Sequence, residues 1–194
     1  MCVCKWTENN IKIKYVDDKT LHYKINDHIL QEASQQKRYS HLIELNVNNN
    51  QKVRKISHLS YLQKLDIRWN CQGVTDDDIR HLNLIELDVY NNPKISKIGH
   101  MRFLQKLSIG GECSVTDDEI KDLNLIELDA DNNPKISKIS HMTNLQKLSI
   151  CEKCGVTDHE IKDLNLIKLS AWTNQKIKQS TLDRINKNVE IYLQ

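Results

Sequence analysis

The sequence lacks several features that would identify a class of function directly. Its 28 basic and 26 acidic residues nearly cancel, so no strong electrostatic field favours nucleic acid or an anionic membrane as a partner. No stretch approaches the roughly 18 apolar residues of a membrane-spanning helix. The chain has no glycine-rich phosphate loop, no HExxH motif and no Ser, His and Asp set at positions that would support a triad. We therefore expect no cofactor, no metal site, and no membrane or nucleic-acid partner.

Glycine and proline are scarce, at five and two residues, beside abundant Lys, Asn and Ile. That composition suggests an AT-rich genome, such as those of large DNA viruses, protists and some intracellular bacteria. The start, MCVCKWTENNIKIKYV, carries charges where a signal peptide needs its apolar stretch. Six cysteines without such a signal favour reduced thiols. We therefore expect a cytoplasmic protein, in the host cytoplasm if a virus or an intracellular bacterium encodes it.

What the sequence does contain is a long block that recurs in tandem. Residues 82–122 and 123–163 match at 31 of 41 positions without a gap. An earlier copy, in which Leu42 aligns with Leu84, is one residue longer, and a later copy begins at Leu164 and then diverges. Self-similarity at a fixed period indicates stacked units that bury their apolar faces against their neighbours. The repeat predicts a solenoid and favours a binding scaffold over an enzyme.

Each block contains two half-units with one apolar skeleton, Leu-x-x-Leu-x-(Val/Ile/Ala). Alternation over its last three positions is typical of a half-buried strand. The skeleton recurs at nearly constant spacing, which predicts one coil per half-unit and a parallel sheet in chain order. The inward leucines at the centre of the predicted strands are Leu45, Leu65, Leu87, Leu107, Leu128, Leu148 and Leu169.

The segments that return from one strand to the next are of two kinds. After a first half, NNPKISKI breaks the strand and turns isoleucines such as Ile95 and Ile98 inward. After a second half, VTDDDI or a close variant places a threonine as N-cap with an acid three residues later, the capping-box pattern of a short helix. The predicted pairs are Thr75 with Asp78, Thr116 with Glu119, and Thr157 with Glu160.

These motifs make the chain resemble a leucine-rich-repeat protein over residues 41–171. The first halves resemble the internalin and phosphatase-regulator type, through LxxLDVxNNPKIxKI. The second halves resemble the cysteine-containing type of F-box proteins, through LxxLxIxxxC followed by VTDxxI. The resemblance implies an α/β fold: a solenoid with a curved parallel sheet on its concave side, short convex helices alternating with irregular turns, and terminal caps. It also implies that the protein binds other proteins.

Both ends are predicted to be caps that cover the terminal coils. Residues 1–40 form the N-terminal cap, with a hairpin over 11–25 and a helix over 26–38. Residues 41–171 hold the repeats, in double units that are each as long as the block 82–122 or one residue longer. Residues 172–194 form the C-terminal cap, with a helix over 181–187 and a last strand over 189–193. In that strand, Val189 is expected to share the register of the inward leucines.

One outward position on each strand alternates in charge. Adjacent parallel strands lie about 4.8 Å apart, so these side chains are predicted to form a ladder of opposite charges that satisfy one another. Lys168 follows Lys147, and the sequence offers no acid that we can place on its other side. The ladder residues are Glu44, Lys64, Glu86, Lys106, Glu127, Lys147 and Lys168.

The next two outward columns vary more, and repeat proteins concentrate specificity where their repeats vary. Tyr, Trp and Arg are frequent interface hot spots, although each aromatic here also has an alternative role in packing on its neighbours or on a terminal helix. We predict that a protein partner binds these columns on the concave face of a monomer. The candidate contact residues are Asp66, Arg68, Trp69, Asp88, Tyr90, Asp129, Asp131 and Trp172.

The cysteines raise the alternatives of a metal site and a nucleophile. Cys71, Cys113 and Cys154 are repeat-equivalent, about 10 Å apart, which suits small buried side chains rather than a disulfide. Cys151 takes the outward position that Gly110 holds one block earlier, so it is the best candidate for a reactive thiol. No His is placed by the repeat to activate it.

The function that these patterns favour is a non-enzymatic protein-recognition module. Three alternatives remain open at this stage. The F-box-like second halves suggest a substrate-recognition adaptor of a ubiquitin-ligase complex, but the segment 1–40 is too short for a three-helix F-box. The near-identity of the middle blocks also fits a structural duplication product. An enzyme would have to depend on Cys151.

Overall fold

The computed structural model of the protein describes residues 42–69, 71, 73–185 and 190–192. Eight short strands pair in parallel, each with the next along the chain. One strand per half-unit confirms the predicted solenoid. The hairpin and helix expected in residues 1–40 lie outside the described residues. The strands are β1 (Glu44–Asn46), β2 (Lys64–Asp66), β3 (Glu86–Asp88), β4 (Lys106–Ser108), β5 (Glu127–Asp129), β6 (Lys147–Ser149), β7 (Lys168–Ser170) and β8 (Glu190–Tyr192).

The core follows from the alternation of side chains along each strand. The central leucines from Leu45 to Leu169 share one register across β1 to β7 and are at most 2% exposed. A second inward column follows two residues later, from Val47 to Ala171, and is also buried. Each side chain therefore lies against its equivalents in the coils before and after. This stacking is how such short strands obtain a core.

The return segments close the other side of each coil. Three four-residue helices follow the second halves: α1 (Asp76–Ile79), α2 (Asp117–Ile120) and α3 (Asp158–Ile161). Their N-caps are the three predicted threonines, all with extended backbone. Ile95 and Ile98 in a first-half return, like the last residue of each helix, are fully buried. The predicted alternation of irregular turns and short helices is confirmed.

A column of buried asparagines supports the turns that follow the first-half strands. Asn92 donates from Nδ2 to the carbonyl of Ile67 at 2.8 Å, and its Oδ1 accepts the N–H of Lys94 at 3.1 Å. Asn133 and Asn174 repeat both bonds. From the sequence, Asn-Asn-Pro predicts only a strand break. In the structure, Asn92 and Asn133 are the second Asn of that motif, whereas Asn174 follows Thr173. All three tie their coils to the preceding ones and satisfy backbone groups that would otherwise be buried without partners.

The C-terminal end departs from its prediction in register. Helix α4 (Gln179–Ile185) begins two residues earlier than expected and covers the last full coil with Leu182, which is 4% exposed. In β8, Ile191 rather than Val189 pairs with Leu169. The last return is therefore two residues longer than predicted. Within the described residues, no helix is long and apolar enough to cross a membrane.

Candidate partner-binding surface

The outward side chains of the strands form what we call the sheet surface: the charge ladder and the two columns beyond it. The ladder has the predicted register. Glu86 lies between two bases, with its Oε1 at 2.8 Å from Lys64 Nζ and 3.1 Å from Lys106 Nζ. Glu127 contacts Lys147 at 3.4 Å. Burial alone would raise the pKa of Glu86, but its hydrogen bonds and ion pairs with the two lysines outweigh burial and lower it.

The prediction for Lys168, at the end of the ladder, was wrong. Lys168 was expected to have no acid on its outer side, but β8 places Glu190 opposite it. The acid was missed because the last return is two residues longer than the spacing of the repeats predicted. The alternation of charge therefore resumes after the Lys147–Lys168 pair.

The column next to the ladder has a structural task at the carboxyl ends of the strands. Asp66, Asp88 and Asp129 each accept, through Oδ1, the backbone N–H of the residue two positions later, at 3.1 to 3.2 Å. Asn46 does the same in the first coil. One oxygen of each aspartate is therefore used to end its strand, as Asx side chains do in turns. The second oxygen, Oδ2, remains for other partners.

Arg68 takes up two of these remaining oxygens. Its guanidinium donates to Asp66 through Nε at 3.0 Å and Nη2 at 2.8 Å, and its Nε lies 3.1 Å from Asp88 Oδ2. The hydrogen bond to Asp66 is the main cause of a raised pKa for Arg68. Arg68 is thus a fixed cation between two strands. Arg68 lies in the predicted outward column, but its guanidinium is already paired with two aspartates of the same chain.

Asp129 and Asp131 form no ion pair with any basic residue that the structure describes. Asp129 Oδ2 accepts only a long bond from Ser108 Oγ at 3.4 Å, while Asp131 Oδ1 accepts the N–H of Cys151 and the hydroxyl of Ser149, both at 2.7 Å. Burial raises the pKa of Asp129, and the nearby charge of Asp131 adds to the rise. Burial also raises the pKa of Asp88 to about 6. A cation from outside the described residues would stabilise the ionised carboxylates of Asp129 and Asp131.

Tyr90 lies across the next strand rather than standing away from the sheet. A Cβ built on Gly110 would clash with Tyr90 Cε2, so the ring occupies the space that a side chain at Gly110 would fill. Burial is the main cause of a raised pKa for Tyr90, followed by the charges of Asp129 and Asp131. The phenol therefore stays neutral and borders the carboxylates of Asp129 and Asp131.

Trp69 completes an aromatic pair with Tyr90. Their ring centroids are 5.5 Å apart and tilted by 46°, an arrangement that aromatic side chains favour. Trp69 remains 51% exposed, and its φ is 59°, in the left-handed region that costs a bulky residue roughly 1–2 kcal/mol. The same position in every described coil from the first to the seventh has positive φ, at Asn49, Trp69, Asn91, Gly111, Asn132, Glu152 and Thr173.

Trp172 lies apart from the other candidates. It follows β7, four strand spacings or about 19 Å from the Tyr90 column position, and it is 41% exposed. Its carbonyl accepts the N–H of Glu152 at 3.1 Å. The structure thus brings the other seven predicted residues together between β2 and β5, with Trp172 at the far end of the same column.

Cys151 is not the exposed thiol that its outward position suggested. It is 1% exposed, and its Sγ lies 3.1 Å from Ser170 Oγ and 3.8 Å from Ser149 Oγ. Burial is the main cause of its raised pKa. The prediction failed because a short side chain pointing outward is still covered when its neighbours close over it. Cys151 is therefore a poor nucleophile.

The three repeat-equivalent cysteines have the structural role that was predicted. Cys71, Cys113 and Cys154 are fully buried, and burial raises the pKa of Cys71 to about 12 and of the other two to about 11. Cys154 Sγ approaches the carbonyl of Ile136 at 3.7 Å. Each lies one residue further along its coil than the buried asparagines do in theirs.

Two solved structures similar to this chain are internalins from Listeria monocytogenes. Internalin C2 is 18% identical, with 81% of this chain and 73% of that chain covered and a TM-score of 0.55. The internalin InlF is 19% identical, with 87% and 51% covered and a TM-score of 0.55, so this chain spans about half of its length. No protein-family model and no curated protein matches the sequence. At these identities the likeness establishes the fold, and that fold is the predicted leucine-rich-repeat solenoid.

Proposed function

We propose that this leucine-rich-repeat solenoid is a non-enzymatic recognition module, and that a protein partner binds its sheet surface between β2 and β5. The observation that carries the proposal is Trp69. It is a large aromatic side chain, half exposed, in a left-handed backbone conformation. Four of the other six coils fill this position with Asn or Gly, and exposed aromatics are frequent hot spots.

The charges of the same region favour a partner that presents a basic side chain. The carboxylates of Asp66, Asp88, Asp129 and Asp131 are grouped around the guanidinium of Arg68 and the strand ends beside it. A lysine or arginine from the partner, placed beside Asp129, would relieve the burial of these carboxylates. The rings of Trp69 and Tyr90 lie within reach of the same cation, and they would add a cation–π contribution.

The mechanism of binding is presentation on a rigid surface. Arg68 is held by two aspartates, Tyr90 lies against Gly110, and the aspartates are fixed by strand-end hydrogen bonds. Side chains that are already ordered lose little entropy when a partner binds, so more of the contact energy appears as affinity. We place the protein in the cytoplasm as a monomer.

Selection from a random peptide library by the immobilised protein tests this proposal. Peptides selected by the wild type should be enriched in Lys and Arg, and selection by Asp129→Lys should lose that enrichment. Trp69→Ala should weaken the binding of a selected peptide roughly tenfold, as expected for a hot-spot aromatic. Lys97→Ala, on the exposed return side, is the matched control and should leave affinity unchanged.

The pH dependence gives an independent readout. A cation bound among these carboxylates favours their ionised forms, and burial raises the pKa of both Asp129 and Asp88 in the free protein, that of Asp88 to about 6. Affinity should therefore be complete above that value and fall as the pH drops below it. Equal enrichment of acidic peptides, or an affinity that Trp69→Ala and Asp129→Lys both leave unchanged, would refute the proposal.

A further inference from the structure

A second groove, away from the sheet surface, runs past the amino-terminal ends of β2 to β7 with a volume of about 590 Å³. We call it the amide groove, because glutamine and asparagine side chains dominate its wall. Ile85, Ile126 and Phe103 supply its apolar surface. The amides that recur along it are Gln63, Gln105, Gln146, Asn83, Asn124 and Asn165.

The groove suits an uncharged ligand rich in hydrogen-bond acceptors. Among the described residues that line it, only Arg102 is charged, and its Nη1 is engaged with the carbonyl of Asp122 at 3.0 Å and with the carboxylate of Asp122 at 3.7 Å. The side-chain amides of Gln63, Gln105 and Gln146 are exposed and form no hydrogen bond within the described part of the chain. They are available to donate to the carbonyls of a bound peptide backbone.

The spacing of these groups selects a backbone conformation. The glutamines recur at every second coil, and Ile85 and Ile126 do the same, so the repeat distance along the groove is about 9.6 Å, twice the strand spacing. A polyproline II helix repeats every three residues, or about 9.3 Å, and leaves its carbonyls free. An extended strand repeats every two residues, or about 6.7 Å, and would fall out of step within one double coil.

Aromatic side chains occur at the matching positions. Phe103 is 67% exposed inside the groove. Tyr61, its equivalent one double coil earlier, is 54% exposed and lies beyond the residues that line the groove. Asn144 holds the same position one double coil later. Grooves that recognise proline-rich segments present aromatic surfaces of this kind to the pyrrolidine rings.

We propose that the amide groove binds a proline-rich segment of a partner protein in the polyproline II conformation, with three residues of the ligand per double coil. The apolar surfaces contact the rings, and the glutamine amides donate to the carbonyls between them. This site is separate from the sheet surface. The proposed site in the amide groove does not depend on whether a basic partner binds the sheet surface.

Fluorescence anisotropy with a labelled decaproline peptide tests the proposal. Phe103→Ala should weaken binding roughly fivefold or more, and no cavity forms because the side chain is exposed. Asn144→Phe supplies the next aromatic in the row and should strengthen binding by a similar factor. That gain should appear for decaproline but not for triproline, which is too short to reach both double coils. Tyr90→Ala, on the sheet surface, is the control and should leave decaproline binding unchanged.

A ten-residue alternating Thr-Val peptide and a Gly-Ser peptide of equal length complete the comparison. Both should bind more weakly than decaproline, because neither presents a three-residue repeat of rings. The proposal is overturned if decaproline shows no saturable binding to either the wild type or Asn144→Phe, or if the Thr-Val peptide binds equally well. A loss on Tyr90→Ala would place the peptide on the sheet surface and would also overturn it.

Discussion

Single residues in this solenoid show how one repeated backbone conformation is met by unlike side chains. Seven coils have a left-handed residue after the strand, and Asn or Gly meets that demand at four of them. Trp69, Glu152 and Thr173 meet it at a cost, since a β carbon clashes with the backbone there. The sequence signals the demand only through Asn49, Asn91, Asn132 and Gly111, and the three bulkier residues conceal it.

Thr173→Asn should therefore stabilise the protein by about 1 kcal/mol, because a β-branched side chain is the least suited to positive φ. Urea denaturation followed by circular dichroism measures the change. Thr143→Asn is the matched control, an exposed threonine without positive φ, and should change stability by no more than a few tenths of a kcal/mol. Equal effects at the two sites would mean that the left-handed conformation is not what limits Thr173.

The same change at Trp69 should be close to neutral for stability. Relief of the left-handed conformation is offset by loss of the ring contact with Tyr90, and each is worth roughly 1 kcal/mol. The fold therefore gives little reason for tryptophan at this position, which is why we assign Trp69 to binding rather than to stability.

The thiols give a second prediction at this scale. Cys71, Cys113, Cys151 and Cys154 are all buried with raised pKa values, so none should react with N-ethylmaleimide in the native protein near pH 7. All four should react in denaturant, as mass spectrometry of their tryptic fragments would show. Preferential native labelling of Cys151 would contradict the burial described here and restore the hypothesis of a reactive thiol.

The sequence could not predict the burial of Cys151 because its outward direction is correct. Strand alternation fixes the direction of a side chain, but its exposure depends on what the neighbouring strands carry. Here Ser149 and Ser170 lie beside the thiol, and Asp131 holds its backbone. The ion pairs of the ladder were easier to predict, because long side chains at equivalent positions on adjacent strands reach one another whatever residues surround them.

At the scale of elements, acidic residues of the short helices on the return side bind the neighbouring coils as well as their own helix. In α1, Asp78 accepts the backbone N–H of Thr75 at 3.0 Å, as the capping box predicts. In α2 and α3 that acid is a glutamate, one methylene longer, and it reaches the preceding coil instead. Glu119 accepts the N–H groups of Ile98 and Gly99, both at 2.8 Å. The prediction of a capping box was therefore wrong for these two helices, although their positions were correct.

The first acid of each helix binds in the opposite direction. Asp117 accepts the N–H groups of Ser137 and Lys138 and the hydroxyl of Ser137, at 2.7 to 3.1 Å, and Asp76 binds the next coil in the same way. Helix α2 is thus joined to the coil before it and to the coil after it. A pattern within one segment predicts the helix, but bonds to the neighbouring coils are visible only once the coils are stacked.

Glu160 in α3 gives this bridging a pH signature. Burial alone would raise its pKa, but hydrogen bonds from Ser140 and Ile139 outweigh burial and lower it. A lowered folded-state pKa means that the stabilisation is complete above the ordinary value near 4.5 and is lost as the pH falls through the folded-state value. Glu160→Gln should therefore destabilise the protein by about 1 kcal/mol at pH 7 and by much less near pH 3.

Urea titrations at the two pH values measure that difference. Asp163→Asn is the control, because its carboxylate is 84% exposed and it should change stability little at either pH. A destabilisation by Glu160→Gln that is the same at pH 7 and pH 3 would show that the charge of Glu160 is irrelevant to the bridge.

For the whole molecule, almost everything that the sequence predicted correctly about the fold followed from its periodicity. The order of the strands, their parallel pairing and the stacked leucine column follow from a skeleton repeated once in every half-unit. The prediction from the repeat is wrong only where the repeat diverges. There β8 lies two residues later than predicted, and this shift places Glu190 opposite Lys168. Extrapolating a period past its last clear copy predicts that a strand follows, but it does not predict the register of that strand.

The charge ladder tests whether the sheet surface contributes to the stability of the solenoid. Glu86 holds two lysines within 3.1 Å, and Glu86→Lys would place three bases in a row on strands about 4.8 Å apart. Because these side chains are partly exposed, the repulsion should cost only about 1 kcal/mol and shrink as salt rises from about 20 to 500 mM. Glu112→Lys, an exposed acid off the ladder, is the matched control.

A second variant at Glu86 distinguishes recognition by the ladder from recognition by the two columns that we propose for binding. Glu86→Gln removes the ion pairs without adding repulsion, so a partner on the aromatic and aspartate columns should tolerate it. Tyr90→Ala combined with Asp129→Lys should abolish that binding, because it removes the ring over Gly110 and reverses the charge that attracts the partner's cation. A partner that instead tolerates the double variant and is lost on Glu86→Gln would show that recognition belongs to the ladder, and that the two outer columns serve the ends of the strands alone.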